Sequence, residues 1–152
     1  MDATDRQLVT ALRENGRIPF AELGRQVGLS GPAVQERVRR LEERGVITGF
    51  TTAVDAASVG LGVSALIGVT VSDGAETDDV GRRLRDVPEI EDCWFVAGDE
   101  NFVTKVRAGD VAALEAVVTK LRRLRGVART RTTVVLSTRW EGRPAPLPAD
   151  DE

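Results

Sequence analysis

The sequence contains no histidine, and it has one cysteine, Cys93, among 152 residues. Without histidine the chain cannot build a histidine-ligated metal site or a Ser-His-Asp triad. A single cysteine cannot form a disulfide bond within the chain. Because these absences leave few groups for enzymatic chemistry, we expect a binding protein that needs no metal or other cofactor.

Long apolar segments are also absent. No stretch approaches the roughly 18 apolar residues that a membrane span requires. The chain begins MDATDRQ, which is polar and acidic, whereas a secretory signal begins basic and continues apolar. We therefore expect a cytoplasmic protein with no membrane partner. The length, with 41% hydrophobic and 30% charged residues, fits one ordinary domain or two small ones.

The charge is distributed unevenly. The net charge of −3 argues mildly against a protein that coats DNA by charge alone. Residues 1–50 carry eight arginines and seven acidic residues, a formal +1, while the rest carries thirteen basic and seventeen acidic residues, a formal −4. If this near-neutral N-terminal part binds DNA, a single copy should bind weakly, because each phosphate contact adds affinity through counterion release. Several copies would have to bind one duplex together.

Residues 21–44 have the pattern of two short helices joined by a Gly-Leu-Ser turn. Gly28 can leave helical geometry without steric cost, so the first helix should end there. Ser30 can accept a hydrogen bond from the amides of the next turn, which predicts a new helix beginning at that residue. Pro32 is tolerated because amides in a first turn lack intrahelical partners. This pattern is typical of a helix-turn-helix that binds DNA.

The second helix of the pair is amphipathic. From Val34 onward, apolar residues recur at i, i+4 and i+7 and should point inward. The opposite face is then free to meet a DNA groove. It consists of Gln35, Glu36, Arg39, Arg40 and Glu43.

Several polar residues are candidate DNA contacts. Arg39 and Arg40 either contact phosphates or guanines, or simply solvate the helix. Gln35 lies in the first two turns, where a bidentate contact to adenine is chemically available to it. Arg17 and Arg25 are either phosphate contacts or ordinary surface residues. The predicted DNA-binding residues are Ser30, Pro32, Gln35, Arg39, Arg40, Arg17 and Arg25.

A further helix precedes this pair. Asp5 can cap its beginning, and Asn15-Gly16 is a suitable left-handed ending. Three helices therefore form a small bundle. Arg37 lies at the border of the apolar stripe in the last helix, and we expect it to have a structural role, pairing with Glu22 or Asp5.

The second half of the chain alternates strand and helix patterns. A tight connection at residues 98–101, between two strand patterns, is a hairpin signal. The order βαββαβ predicts an antiparallel four-stranded sheet with two helices on one face, the ferredoxin-like arrangement. The predicted elements are strand 63–71, helix 75–85, strands 91–97 and 102–107, helix 111–124 and strand 128–136.

The other face of this sheet would have no cover in a single chain. Such a face commonly packs against a second copy, so we predict a homodimer through this half of the molecule. Cys93 and Trp94 alternate on a strand, and therefore one faces the helices and the other the opposite side. Core or interface packing is the expected role of both.

Short segments along nearly the whole chain resemble the Lrp/AsnC family of feast/famine transcription regulators. In the family's Gly-Asp-Tyr/Phe-Asp effector turn, Glu100-Asn101 here replaces an aromatic residue and an acid. The segments that carry the resemblance are Asp5-Arg6, Asn15-Gly16-Arg17, Glu22-Leu23, Gly28-Leu29-Ser30, Glu36 to Glu42, Gly45 to Phe50, Gly98 to Phe102 and Thr130-Arg131-Thr132.

The resemblance implies a homodimer that assembles further, into a ring of four dimers (an octamer), and responds to an amino-acid effector at the contact between dimers. Asp99 and Glu100 would meet the effector's ammonium, and backbone amides of the turn would take its carboxylate. Thr130 and Thr132, from the same or the neighbouring subunit, would add hydroxyl contacts. The alternative is a plain turn, since Gly, Asp and Asn are common turn residues. The predicted effector-binding residues are Gly98, Asp99, Glu100, Asn101, Thr130 and Thr132.

Together these features predict an α+β fold, with an N-terminal winged-type helix-turn-helix domain of three helices and a C-terminal βαββαβ ferredoxin-like (RAM-type) domain. The predicted function is a sequence-specific regulator that binds double-stranded DNA and responds to an amino acid or related small effector. The alternatives are an enzyme or enzyme-regulatory module on the same scaffold, and an effector-independent architectural DNA-binding protein. The predicted domains are the helix-turn-helix domain at 1–47, a β linker at 48–62, the effector-binding and oligomerisation domain at 63–140 and a disordered tail at 141–152.

Overall fold

The computed structural model describes residues 1–148 and divides into two compact units. One unit contains residues 1–53 together with the C-terminal segment from residue 140, and the other contains residues 54–139. The first division falls within the predicted linker. Within the described part of the chain, no helix is both long enough and apolar enough to cross a membrane.

The N-terminal unit is built from three helices, as the sequence predicts. They are α1 (Ala3–Glu14), α2 (Phe20–Val27) and α3 (Gly31–Glu43). Each helix turns its apolar stripe toward the other two, and the buried side chains at their centre are Leu8, Leu12, Leu23, Val34 and Val38.

The turn between α2 and α3 has the predicted geometry. Gly28 is left-handed, with φ of 73°, and ends α2. Ser30 caps α3, because its hydroxyl oxygen accepts a hydrogen bond from the amide of Ala33 at 3.3 Å. The prediction of a helix-turn-helix is therefore confirmed in its caps as well as its helices.

The ends of α1 differ from the prediction. Asp2, and not Asp5, caps this helix, since its Oδ1 accepts the amide of Asp5 at 2.7 Å. Asp5 itself is 8% exposed and accepts a hydrogen bond from Arg37 Nη1 at 2.7 Å. Asn15 has extended backbone, with φ of −143°, and its side chain accepts the amide of Arg17 at 3.0 Å. That local turn takes the place of the left-handed ending.

A close backbone approach fixes α2 against the start of α3. A Cβ atom at Gly24 would lie 2.4 Å from the carbonyl oxygen of Leu29. The same two residues are joined by a hydrogen bond of 2.8 Å from the Leu29 amide to the Gly24 carbonyl. Residue 24 must therefore lack a side chain for the turn to close.

The C-terminal unit has the predicted βαββαβ order. Its four strands form one antiparallel sheet in the order β2-β3-β1-β4. A short 3₁₀ turn, Ala57–Val59, precedes it. The elements are β1 (Val63–Val71), α4 (Thr77–Arg85), β2 (Ile90–Phe95), β3 (Phe102–Ala108), α5 (Val111–Arg122) and β4 (Val127–Val135).

Helices α4 and α5 cover one face of the sheet. Cross-strand partners share a face, so the register places alternate residues of neighbouring strands in one core. This core contains Ala65, Ile67, Val69, Val80, Leu84, Phe102, Val106, Leu114, Val117 and Leu121. The opposite face is not covered within this unit, and we call it the open face; its residues include Leu66, Gly68, Trp94, Val103, Lys105, Arg107 and Arg131.

The predicted β linker forms no strand in the described chain. Residues 48–62 contain irregular backbone and the one 3₁₀ turn. Residues rich in β-branched side chains need a neighbouring strand to complete a ladder of hydrogen bonds, and no strand among residues 1–148 pairs with them.

The predicted tail lies partly outside the described residues. Residues 141–148 contain no helix or strand. The Arg6 side chain donates a hydrogen bond to the carbonyl of Pro148 at 2.8 Å. Residues 149–152 lie outside the described residues, so the disorder of the tail stays a prediction.

We expect Gly24→Ala to destabilise the N-terminal unit by roughly 1–3 kcal/mol, because the added methyl forces the Leu29 carbonyl away. Gly31→Ala is the matched control, since a Cβ there meets its nearest neighbour, the backbone nitrogen of Ala21, at an ordinary 3.5 Å. Urea unfolding monitored by circular dichroism would compare the two variants. Equal stabilities would contradict the importance of this contact.

Candidate DNA-binding surface and effector turn

The outward face of α3 is the candidate DNA-binding surface, which we call the reader face: Gln35, Glu36, Arg39, Arg40 and Glu43. Buried Val34, Val38 and Leu41 hold the other side of the helix in the core. The structure leaves all seven predicted DNA-binding residues exposed, including Arg17 and Arg25 outside α3. Their assignment to DNA stays a prediction, and their exposure is compatible with it.

The two arginines of the reader face are held by acids of the same helix. Glu36 Oε1 lies 2.8 Å from Arg39 Nη2 and 2.9 Å from Arg40 Nε. Glu43 also pairs with Arg39. The hydrogen bonds from Arg39, and then from Arg40, lower the pKa of Glu36 to about 2. Sequence reasoning placed these residues on one face but missed their pairing, which the i, i+3 and i, i+4 spacing could have indicated.

Arg37 has the structural role that the sequence predicts. Its Nη1 lies 2.7 Å from Asp5 Oδ1 and 2.7 Å from Asp2 Oδ2, so it joins α3 to the beginning of α1. Of the two predicted partners, Asp5 is confirmed, whereas Glu22 pairs with Arg25. The amide of Asp5 and the guanidinium of Arg37 hold the pKa of Asp2 below its ordinary value.

The effector turn, residues 98–101, joins β2 to β3. Asn101 attaches this turn to β1: its amide N–H donates to the Val69 carbonyl at 2.9 Å, and its Oδ1 accepts the Val71 amide at 2.8 Å. Gly98 and Asp99 are exposed. A Cβ at Gly98 would meet nothing within 4 Å, so the space beside the backbone there is open.

Glu100 leaves the turn and lies on the open face. A Cβ at Gly68 would come within 2.6 Å of Glu100 Cγ, so the glycine provides the space that the glutamate occupies. Glu100 Oε1 is 2.6 Å from Arg131 Nε, and the Glu100 side chain is 11% exposed against 70% for Arg131. The carboxylate of Glu100 is therefore neutralised within the chain, whereas that of Asp99 faces solvent.

The two threonines of β4 lie on the other face of the sheet. Thr130 pairs with Val69 and Thr132 with Ile67, both core residues, while Arg131 between them pairs with Gly68 on the open face. The structure thus brings Glu100 and Arg131 together and separates them from the threonine side chains of the same chain.

The open face mixes apolar and charged side chains. Leu66 and Trp94, which is 48% exposed, lie near Lys105 and Arg107 in the strand register. Glu91 pairs with both cations, at 2.6 Å and 2.8 Å. The predicted alternation on β2 is confirmed, since Cys93 pairs with buried Thr104 of the helix-covered face and Trp94 pairs with Val103 of the open face. Although Cys93 as a residue is exposed, partial burial of its thiol raises the pKa of that group.

Two family models match the chain. The AsnC-type helix-turn-helix domain matches residues 1–42, and the Lrp/AsnC ligand binding domain matches residues 64–145. These two matches coincide with the three helices and with the βαββαβ sheet.

Individual relatives match over almost their whole length. The chain is 41% identical to the HTH-type transcriptional regulator LrpA of Mycobacterium tuberculosis over 143 residues, 94% of this chain and 95% of that protein. It is 34% identical to the leucine-responsive regulatory protein of Escherichia coli K12 over 139 residues, 90% of this chain and 85% of that protein. These relatives are transcriptional regulators and not enzymes.

A solved structure shows the same fold. A feast or famine regulatory protein of M. tuberculosis, complexed with L-methionine, superposes with a TM-score of 0.90 at 40% identity and covers 95% of this chain and 97% of its own. The helix-turn-helix, the sheet with its effector turn and these comparisons lead to one conclusion: the chain belongs to the Lrp/AsnC family of transcription regulators.

Proposed function

We propose that the protein regulates transcription by binding double-stranded DNA through α3, and that an amino acid or related small effector at a subunit contact alters its DNA affinity or its oligomeric state. The observation that carries the DNA-binding part is the exposed polar reader face on a helix-turn-helix whose turn has a left-handed glycine at the end of α2, a serine cap at the start of α3, and a packed core. Such a regulator would act in the cytoplasm, where the chromosome of a bacterium lies.

Within the DNA interface, each residue type suits one task. Arg39 and Arg40 are suited to phosphates or guanines, and Gln35 near the beginning of α3 to an adenine edge. Ser30 and Pro32 open the helix, where its backbone amides can approach a phosphate. Arg17 and Arg25 would extend the phosphate contacts to either side.

The effector part of the proposal is supported by the relatives and by the turn. One relative carries L-methionine in its structure and another is named leucine-responsive. In this chain, the exposed carboxylate of Asp99 can accept a hydrogen bond from the effector's ammonium. The effector's carboxylate can approach the backbone at Gly98, where no neighbouring atom blocks the space. Asn101 fixes the turn, and Glu100 with its Arg131 partner borders it. Thr130 and Thr132 would add contacts from a neighbouring subunit.

Assembly is the third part of the proposal. The open face exposes Leu66 and Trp94 among ion-paired charged side chains, a mixture that protein interfaces also contain. We propose that two copies pack through this face, and that four dimers form the octamer that the family resemblance implies. Multiple copies would compensate for the small formal charge, +1, of residues 1–50 in each copy.

We expect the double variant Arg39→Ala/Arg40→Ala to bind every duplex more weakly and to flatten the salt dependence by about one unit for each lost phosphate contact. Gln35→Ala, in contrast, should reduce sequence preference while general affinity remains. Fluorescence anisotropy with a labelled duplex at several salt concentrations would measure both. Unchanged affinity in a correctly folded double variant would remove α3 from the interface.

We expect Leu66→Arg to weaken the dimer at least about tenfold, because the cation would be buried without a partner. Val111→Arg is the matched control, since Val111 is 72% exposed and begins α5 away from the open face. Size-exclusion chromatography with light scattering would compare the two variants over a dilution series. A dimer of equal strength in both would place the interface elsewhere.

We expect Asp99→Ala to lower the affinity for an amino-acid effector about 10- to 100-fold, the range for a lost charged hydrogen bond, and to leave unliganded DNA binding intact. Asp86→Ala removes an equal charge from the end of α4 and serves as the control. Calorimetric titration with L-methionine, L-leucine and then the other amino acids would measure the effect. If both variants bind like the wild type, Asp99 does not hold the ammonium.

A further inference from the structure

Glu36 occupies an unusual position on the reader face, between the two arginines assigned to DNA. Its carboxylate accepts from Arg39 Nε at 3.0 Å and Nη2 at 2.8 Å, and from Arg40 Nε at 2.9 Å. All three side chains project from the same helix, with i, i+3 and i, i+4 spacing. In the free protein, the cations of this face therefore already have an anionic partner.

We infer that Glu36 sets the DNA affinity of the protein by competing with phosphates for Arg39 and Arg40. This inference rests on the proposed function, since it requires both arginines to reach DNA. A phosphate and the Glu36 carboxylate are alternative acceptors for the same guanidinium donors. Arg40 uses only its Nε on Glu36 and Arg39 uses Nε and Nη2, so a phosphate meets guanidinium groups whose charge is already partly balanced and whose donors are partly occupied. The net gain of each phosphate contact is therefore lower.

The competition is permanent under physiological conditions. The helix holds the carboxylate within reach of both guanidinium groups, so its effective concentration there is high and does not depend on other molecules. The pKa of Glu36, lowered to about 2, keeps the carboxylate ionised throughout the physiological range. Glu36 thus limits the DNA affinity of the reader face to which it belongs.

A second acidic residue of α3, Glu42, allows the effect of the Glu36 ion pairs on DNA affinity to be separated from the effect of the helix's net charge. Glu42 lies on the same helix and is exposed, and among the described residues it makes no ion pair. Replacing Glu42 or Glu36 by glutamine raises the charge of α3 by the same amount. Only the change at Glu36 removes the carboxylate that Arg39 and Arg40 share; it leaves Arg39 with Glu43 and Arg40 without an acidic partner on α3.

The test compares Glu36→Gln with Glu42→Gln in the full chain, using a labelled random-sequence duplex in about 0.1 M salt. We expect Glu36→Gln to bind about 3- to 10-fold more tightly than Glu42→Gln, the gain that one additional phosphate contact provides through counterion release at this salt. The salt dependence of Glu36→Gln should also be steeper. Circular dichroism would establish that both variants retain the wild-type fold.

Glu36→Gln and Glu42→Gln are then made in the Arg39→Ala/Arg40→Ala background, which completes a double-mutant cycle. Without the arginines, Glu36→Gln should have no advantage over Glu42→Gln. One outcome would overturn the inference alone: the double arginine variant binds DNA more weakly than the wild type, but Glu36→Gln and Glu42→Gln have equal DNA affinity in the wild-type background. Glu36 then does not compete with phosphates, although α3 still binds DNA. If the arginine variant binds like the wild type, the DNA interface itself is wrong and the inference is overturned with it.

Discussion

The backbone contact between Gly24 and Leu29 is the constraint on which the DNA-binding unit depends. It brings the end of α2 within hydrogen-bond distance of the turn, so that Ser30 can cap α3 and the apolar side of α3 can enter the core. The direction of the reader face follows from that placement. A similar close approach occurs in the second unit, where Gly68 leaves the space for Glu100. In both units a functional surface depends on a position without a side chain.

Much of this architecture could be predicted from local patterns, because periodicity and turn chemistry act over a few residues. The bounds of β1 and the capping of α3 agree with expectation. The errors arise where a residue's partner lies far away in the sequence. Asp5 has the residue type and the position of a helix cap, but its carboxylate accepts a hydrogen bond from Arg37, 32 positions away. The β-branched linker lacks a strand to pair with, and no local pattern indicates that Glu100 lies against Gly68. The residues assigned to DNA and effector could be proposed from the sequence; of their intramolecular partners, the acids of α3 could have been found from helical spacing, whereas Arg131 as the partner of Glu100 could not.

Both candidate sites contain arginines whose charge is balanced by a neighbouring glutamate. On the reader face Glu36 balances Arg39 and Arg40, and beside the effector turn Glu100 balances Arg131. An anion that binds at either place would therefore meet a guanidinium whose charge is already partly balanced, and not an empty positive site. Weak single contacts of this kind fit the proposed regulator, in which several copies would bind one duplex together.

The Asp2 carboxylate connects the extreme N-terminus to the DNA-binding helix. Its Oδ1 accepts a hydrogen bond from the Asp5 amide in the first turn of α1, and its Oδ2 accepts one from Arg37 Nη1 of α3. An affinity tag joined directly before Met1 would add mass and charge beside this carboxylate, and a deletion of the first few residues would remove it. A recombinant form of the protein for measuring DNA binding should therefore keep its first residues intact, without a tag joined directly to them.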